Sequence, residues 1–457
     1  MKKLLLFQQY GSQKSHLRLS LCLTSFCCLL IFLATTQQAI AQETLTWHQS
    51  VERAAQNNSD ILSAEREVQA SEYTQTGALS GFLPQISASL SSTQSSSSTN
   101  SSSSTGSGTT TTSGSLGTTS GQNYSAQLTL KQNLFAGFTD LNQYEQAKEN
   151  TWIAKWKLQA AKSTVSANLK QAYSNYEYAK DLVKLNQNIV KRRLENLKIV
   201  ELRFESGREN KGSLLLSQAY HEQAKYDLLQ AEQLEANQKS QLAVILGYSS
   251  DTSFSVTGSV PVTEPPAQNP SFEELSLETP NYLQAAAQER IKKYDNETAK
   301  GSGFIPSLDL SGSYGKNDNS FFPQDREVWN VGLTLSIPLF DGMKDWASVR
   351  ATHAQWLSSG HQRQTTQRES VINLRQTFAD YQISAQKVKV DTGFKQAADT
   401  RATIARNKYN NGLMTFEEWD QIESDLITRE RSYLNSVKER VVAESKWELA
   451  QGKGVLP

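Results

Sequence analysis

Gly81, Phe82, Leu83 and Pro84 recur as Gly303, Phe304, Ile305 and Pro306, a step of 222 residues. A chain that repeats over so long a period is built from two equivalent units, which limits it to duplicated architectures. Further on the step is 205: Leu134, Phe135 and Gly137 recur as Leu339, Phe340 and Gly342, Gly207 as Gly412, and Gly247 as Gly452. The extra residues of the first unit must lie between the two matched stretches. There, residues 91–121 are Ser, Thr or Gly at every position except Gln94, Asn100 and Leu116. Such a segment buries too little apolar surface to fold, and it predicts a floppy loop inserted in one copy of the duplication. The units are residues 42–248 and 281–457. Between them, 249–280 holds Pro261, Pro265, Pro266, Pro270 and Pro280 and predicts a linker.

Residues 1–41 have the pattern of an export signal. Lys2, Lys3, Lys14 and Arg18 precede an apolar stretch from Leu19 to Leu33, and Ala39, Ile40 and Ala41 suit a small-residue cleavage site. Cys22, Cys27 and Cys28 all fall inside this segment, so the exported chain would contain no disulfide. Over the full chain 46 basic and 46 acidic residues balance, which removes any charge argument for nucleic acid. After the signal no run of about 18 apolar residues occurs, so no membrane-spanning helix is predicted.

Each unit contains two segments that alternate with period two. Trp329, Val331, Leu333, Leu335, Ile337 and Leu339 alternate against Asn330, Gly332, Thr334, Ser336 and Pro338, giving one apolar and one wet face. Tyr124, Ala126, Leu128 and Leu130 do the same, and Ile86, Ala88, Leu90 and Leu308, Leu310, Tyr314 supply weaker partners for two hairpins. A soluble sheet and a membrane barrel share this pattern. Strands of about ten residues suit a tilted crossing of the hydrocarbon layer. Phe135, Phe138, Trp329 and Phe340 flank them where an interfacial aromatic girdle sits. Four strands cannot close a barrel, because the smallest spanning barrels need about eight. Several copies must therefore share one: two supply eight strands and three supply twelve.

Between Asp140 and Ser206 there is no proline or glycine, and apolar residues recur every seven: Leu169, Tyr176, Val183, Val190, Leu197, Phe204. The second unit repeats the seam with Leu374, Tyr381, Val388, Ala402 and Tyr409, with Lys395 in place of Val190. A seven-residue period marks a coiled coil. A helix of about 68 residues is roughly 100 Å long, more than a compact domain of this size uses. Glycine turns at Gly207–Gly212 and Asn410–Leu413 end these helices, and return helices run to Leu246 and Ala450. A rod attached to a sheet is the simplest geometry.

The sequence contains no phosphate-binding glycine loop, no dinucleotide fingerprint, no zinc spacing and no nucleophile elbow. His353 and His361 are eight apart on a predicted helix, which does not stack them on a shared metal. Glu417, Glu418 and Asp420 follow a helix start, where acids favour the macrodipole. The reading is a protein that is not an enzyme and that needs no cofactor or metal.

The ordered, twofold set of elements resembles the trimeric outer-membrane efflux and secretion channels of the TolC family. It consists of helix, strand hairpin, Phe-x-Gly turn (Phe135, Gly137; Phe340, Gly342), long helix, aromatic-x-x-Gly tip (Phe204, Gly207; Tyr409, Gly412) and return helix. The resemblance implies an α+β chain in which a long antiparallel helical coiled-coil barrel joins a membrane β-barrel shared by three chains, four strands each. It implies a homotrimer in the outer membrane of a Gram-negative bacterium, with helices reaching into the periplasm. Its partners would be a periplasmic adaptor and an inner-membrane pump or transporter, for efflux or type I secretion. Adaptor docking falls to the tips, at Phe204, Gly207, Arg208, Tyr409, Gly412 and Leu413. Phe135, Trp329 and Phe340 are the girdle. Some family members carry an acidic ring just before the second tip. Here that stretch offers Asp399, Arg401, Arg406 and Lys408, which points to a neutral or weakly anion-preferring entrance. Two other readings stand beside this one: an exported coiled-coil scaffold without a pore, and a periplasmic adaptor, which usually has a single helical hairpin.

Overall fold

A computed structural model describes residues 43–98, 118–248, 254–318, 321 and 326–456. The export signal expected over 1–41 lies outside them. The elements in chain order are β1 (Glu43–Thr46), α1 (Trp47–Asn57), α2 (Ser59–Gly77), a 3₁₀ turn (Ala78–Phe82), β2 (Gln85–Ser98) and β3 (Thr118–Ala136). They continue with α3 (Thr139–Glu205), α4 (Lys211–Ile245), β4 (Phe254–Thr257), α5 (Phe272–Glu278) and α6 (Pro280–Phe304). The last are β5 (Ser307–Asp318), β6 (Arg326–Ser336), α7 (Lys344–Asn410) and α8 (Phe416–Ala450). The chain is mostly helical.

The two dominant helices, α3 and α7, are 67 residues each, about 100 Å at 1.5 Å per residue. The two return helices α4 and α8 are 35 residues each. Both long helices start from a left-handed residue, Phe138 at φ 68° and Met343 at φ 73°, each directly after a left-handed glycine. All four helix C-termini close the same way. At the end of α3, the Gly207 amide donates to Phe204 O (2.9 Å) and the Arg208 amide to Arg203 O (2.8 Å); Gly412, Gly247 and Gly452 repeat the arrangement. This closure needs φ > 0, which glycine adopts without steric cost.

The Gly-Phe-Leu/Ile-Pro tetrads have a packing reason. A Cβ on Gly81 would lie 2.7 Å from Asp140 Oδ1, and one on Gly303 would lie 2.8 Å from the Cβ of Asp345. Both aspartates stand in the first turn of a long helix, where carboxylates favour the helix dipole. The first strand of each hairpin, β2 and β5, thus begins just after a glycine that lets the chain pass the start of a long helix.

The four long strands form one antiparallel sheet in the order β2-β3-β5-β6, with β2 and β6 at its edges. Register puts like with like: Ile86 opposite Leu130, Leu128 opposite Tyr314, Tyr314 opposite Trp329, and Leu310 opposite Leu333. A bulge between Asn133 and Phe135 shifts the register so that Phe135 pairs with Leu308.

Three expectations need correction. The floppy loop expected over 91–121 does not hold for Ser91–Ser98 and Thr118–Gly121, which continue the β2–β3 ladder without a break. Backbone bonds and hydroxyl contacts such as Ser91 Oγ to Ser125 Oγ (2.6 Å) sustain a ladder that apolar pairs have already started. Residues 99–117 of that loop lie outside the described residues.

The stretch expected as a plain linker, 249–280, is also built. Within it β4 pairs in parallel with β1, and α5 follows. Tyr173 donates to Thr257 O (3.1 Å) and Gly258 O (3.3 Å), and burial pushes its phenol up to about 12. Tyr381 donates to Thr263 O (2.6 Å), and the Thr263 amide donates to Glu444 (3.2 Å). Prolines limit the backbone here, but main-chain donors and acceptors still tie the segment to α3, α7 and α8 as a strap.

The seam drifts, too. Leu169, Tyr176 and Val183 are buried, but farther along α3 the buried positions become Asn186, Arg193 and Val200, while Val190 and Leu197 are only half-buried. A nearly straight α-helix rotates by about 20° per heptad against a strict seven-residue repeat, which carries the contact to the neighbouring row.

Candidate functional site

The strongest convergence of side chains lies at the tips, where the α3–α4 turn meets the α7–α8 turn. Tyr409 ends α7 with no exposed surface. Its ring stacks on Trp419 of α8 at 4.3 Å and 17°, and Phe416, Val200 and Ala405 complete the cluster. Its hydroxyl donates to Glu209 Oε2 of the other turn at 2.9 Å. Arg203 of α3 donates from Nη1 to Tyr409 O at 2.7 Å, and its guanidinium stands 4.6 Å from the Tyr409 ring centre. Burial, and then the Glu209 hydrogen bond and charge, push the Tyr409 phenol well above its ordinary value. Tyr409 therefore remains a neutral donor, and Arg203 and Glu209 grip it from one hairpin while Trp419 backs it from the other.

The turns themselves are capped. Asn210 accepts from the Ser213 amide at 2.9 Å, and Thr415 and Glu418 form a reciprocal capping box. Glu418, read from sequence as a dipole acid, is thus a cap as well.

The other residues singled out from sequence are spread over this region. Phe204 is 37% exposed, unlike its counterpart Tyr409, and Leu413 is 75% exposed. Gly207 and Gly412 are exposed at left-handed φ, and Arg208 is exposed beside the first. Leu202, Leu215 and Leu216 add to the open apolar surface of the first tip. Arg406 pairs at 3.0 Å with Glu423, itself buried in α8, and Arg401 Nη1 lies 3.7 Å from Asp425 Oδ2. Asp399 and Lys408 are exposed. Sequence reasoning passed over Arg203, Trp419, Phe416 and Glu423. No local pattern marks them, because each acts through a residue on another helix.

Above the tips the α3–α8 seam is ionic. Arg193 meets Asp420 at 2.5 Å, Arg192 meets Glu430 at 2.6 Å, and buried Lys170 meets Glu444 at 3.4 Å and Glu448 at 2.7 Å. Buried pairs of this kind fix register more than they add stability.

At the opposite end the sheet leaves one apolar face uncovered. Trp329, Val331, Leu333 and Leu335 are exposed by 61–72%, and Ile86 and Leu128 continue the face. The other face carries Gln127, Thr129, Lys131, Ser311 and Thr334 in the same registers. Phe135 packs edge-on against Phe138 at 5.3 Å, and Phe340 is 84% exposed. Where the wet face meets the helices, Asn133 Nδ2 donates to Asp140, whose carboxyl is raised by burial and by the nearby Asp309. Among the described residues no helix is long and apolar enough to cross a membrane, and no cluster of three or more His, Cys, Asp or Glu could hold a metal.

Known proteins share this arrangement. The alkaline protease secretion protein AprF of Pseudomonas aeruginosa is 21% identical over 333 residues, which cover 69% of this chain and 66% of AprF, just under two thirds of its length. The Campylobacter jejuni outer membrane channel CmeC superposes with a TM-score of 0.76 at 17% identity, over 89% of this chain and 85% of CmeC. The outer membrane protein VceC of Vibrio cholerae gives 0.73 at 16% identity, over 89% of this chain and 96% of VceC. At such identities the superpositions establish a common fold. The family model described as outer membrane efflux protein matches residues 50–248 and 274–447, on both sides of the strap. That match takes in most of the chain, which therefore belongs to the outer membrane efflux protein family and is a protein of the outer membrane.

Proposed function

We propose that the chain is the outer-membrane exit duct of a tripartite efflux pump or type I secretion system, working as a homotrimer. The observation that carries this reading is the sheet: four strands with a bare apolar face and two open edges, joined to helices about 100 Å long. Lipid covers the apolar face, but hydrocarbon offers no partner for edge amides and carbonyls. Pairing β2 of one copy with β6 of the next removes both edges, and three copies close twelve strands around the polar face. Phe135, Trp329 and Phe340 then sit as an interfacial girdle.

The two units, 42–248 and 281–457, supply equivalent hairpins and helices to this ring, and residues 1–41 direct export. The helices form a water-filled tunnel through the periplasm, and its tips rest closed by the Arg203–Tyr409–Glu209 clasp. An adaptor docks on Phe204, Gly207, Arg208, Gly412 and Leu413, where apolar side chains are exposed at the turns. Tyr409 passes from clasp to open state as the hairpins part. With Arg401, Arg406 and Lys408 near the entrance and Asp399 the acid among them, the entrance is neutral or weakly anion-preferring. The likeness to AprF favours secretion as one use of the duct. The test is native mass in mild detergent after extraction from outer membranes: three copies are expected, and a stable monomer overturns the reading.

A further inference from the structure

The apolar face of the sheet is notched at Gly312. On that face β5 presents Leu308, Leu310, Gly312, Tyr314 and Lys316 in turn. Gly312 lies between Leu130 of β3 and Val331 of β6, and in the next rung Leu128 and Trp329 flank Tyr314. The missing side chain leaves a cleft of about 290 Å³, floored by Gly312 and walled by Leu128, Leu130, Tyr314, Trp329 and Val331.

Glycine weakens the interior of a strand, and it is found there at bulges, at left-handed backbone or where another group comes close. The chain itself imposes none of these on Gly312. The register runs unbroken past it on both sides, so there is no bulge, and its backbone is not left-handed. A Cβ placed on it would lie 3.8 Å from Asn330 O and 4.0 Å from Val331 Cγ2, which are ordinary contacts. At Gly315, on the other face, a Cβ would come within 2.8 Å of Ala126 O. A neighbouring copy does not fill the cleft either. Both walls belong to one chain and β5 is an inner strand, whereas the edges open to another copy are β2 and β6.

We propose that the cleft holds an acyl chain of a phosphate-bearing membrane lipid. This rests on the reading of the sheet as part of a membrane barrel, in which lipid covers this face. The walls are apolar, as an alkyl chain requires, and the polar groups gather at one end, as a headgroup requires. That end points towards the β5–β6 turn. There Tyr314 and Trp329 carry a phenol O–H and an indole N–H of the kind that sits at a membrane interface. One rung farther, Lys316 pairs with Glu327 at 3.1 Å. An ammonium has three donors, so Lys316 can serve Glu327 and a phosphate together.

The test uses trimers of the full chain in mild detergent, stripped of lipid. They are titrated with dimyristoyl phosphatidylglycerol or with glucosyl dimyristoylglycerol, which has the same chains and no phosphate, and native mass spectrometry counts the bound lipid. Each copy is expected to take up one phosphatidylglycerol in preference to the glucolipid. Gly312→Leu, which fills the cleft, should weaken that binding about tenfold or more, and Lys316→Gln should reduce the preference for phosphate. If the leucine variant yields no trimers, Gly312→Ala, which the internal contacts admit, should show a smaller loss in the same direction. Gly312→Leu or Gly312→Ala trimers that bind as tightly as the parent overturn the cleft. Equal binding of the two lipids by the parent overturns the phosphate-bearing ligand. Either result leaves the channel reading standing, whereas a monomeric mass overturns that reading and this one together.

Discussion

Tyr409 donates its hydroxyl to Glu209 at 2.9 Å, across the gap between two helical hairpins whose residues are 200 positions apart in the chain. The same tyrosine accepts Arg203 on its carbonyl and lies flat on Trp419, so one side chain records whether the tips are together. A residue in that position is suited to hold a closed state that a partner can release.

Removing the clasp is expected to open the tips. Tyr409→Phe keeps the ring on Trp419 but deletes a hydrogen bond to a carboxylate, with a cost of about 1.5–3 kcal/mol. Combined with Arg203→Gln, it should raise single-channel conductance several-fold in planar bilayers. Conductance equal to that of the unaltered protein would mean that the clasp does not hold the tips.

Gly81→Ala and Gly303→Ala should each destabilise the protein by about 1–3 kcal/mol, because the new methyl group collides with Asp140 or Asp345. Gly77→Ala is the matched control. That glycine is helical, with nothing within 4 Å of the place a methyl group would take, and alanine should stabilise there by up to about 1 kcal/mol. Thermal melting of the three variants decides it, and equal shifts would remove the packing account of the repeated tetrads.

Lys170→Met leaves Glu444 and Glu448 without their shared cation in a site where the lysine is 3% exposed. The expected cost is about 3–5 kcal/mol. Lys184→Met, which breaks a surface pair with Asp181, should cost no more than about 1 kcal/mol. Chemical denaturation compares the two, and similar midpoints would show that the buried knot is dispensable.

Glu177 of α3 lies beneath the strap, and burial pushes its carboxyl from 4.5 up to about 7, with a hydrogen bond from the Val260 amide acting in the opposite sense. The folded state thus holds this proton more tightly than the unfolded chain does. Its contribution to stability is present below about pH 4.5 and is lost as pH rises towards about 7. Glu177→Gln should flatten that slope and leave the protein more stable than the parent above pH 7. Melting temperatures measured between pH 4 and pH 8 report it, and parallel curves would rule it out.

Local patterns carried much of the architecture. The alternation of Trp329, Val331, Leu333 and Leu335 marked one face of a strand, and that face is bare in the folded chain. The proline-free run from Asp140 to Ser206 marked a single helix, observed as Thr139–Glu205. Gly207 and Gly412 marked the ends of the two long helices, because only a left-handed residue closes that turn cheaply. Signals of this kind are short-range, and a few neighbouring side chains suffice to produce them.

What the sequence alone determined was therefore the set of elements, their lengths and the faces they offer. The tertiary structure decided which members of equivalent positions are used. Phe204 and Tyr409 occupy corresponding places, yet Tyr409 is sealed between Arg203 and Trp419 while Phe204 is open. A strap rich in proline became a belt because Tyr173, Tyr381 and Glu444 meet its backbone. A serine tract became a ladder because the strand beneath it was already paired. Partner choices of this kind join residues up to 200 or more positions apart, and they depend on how rigid helices and strands bring distant groups together, which no local period encodes.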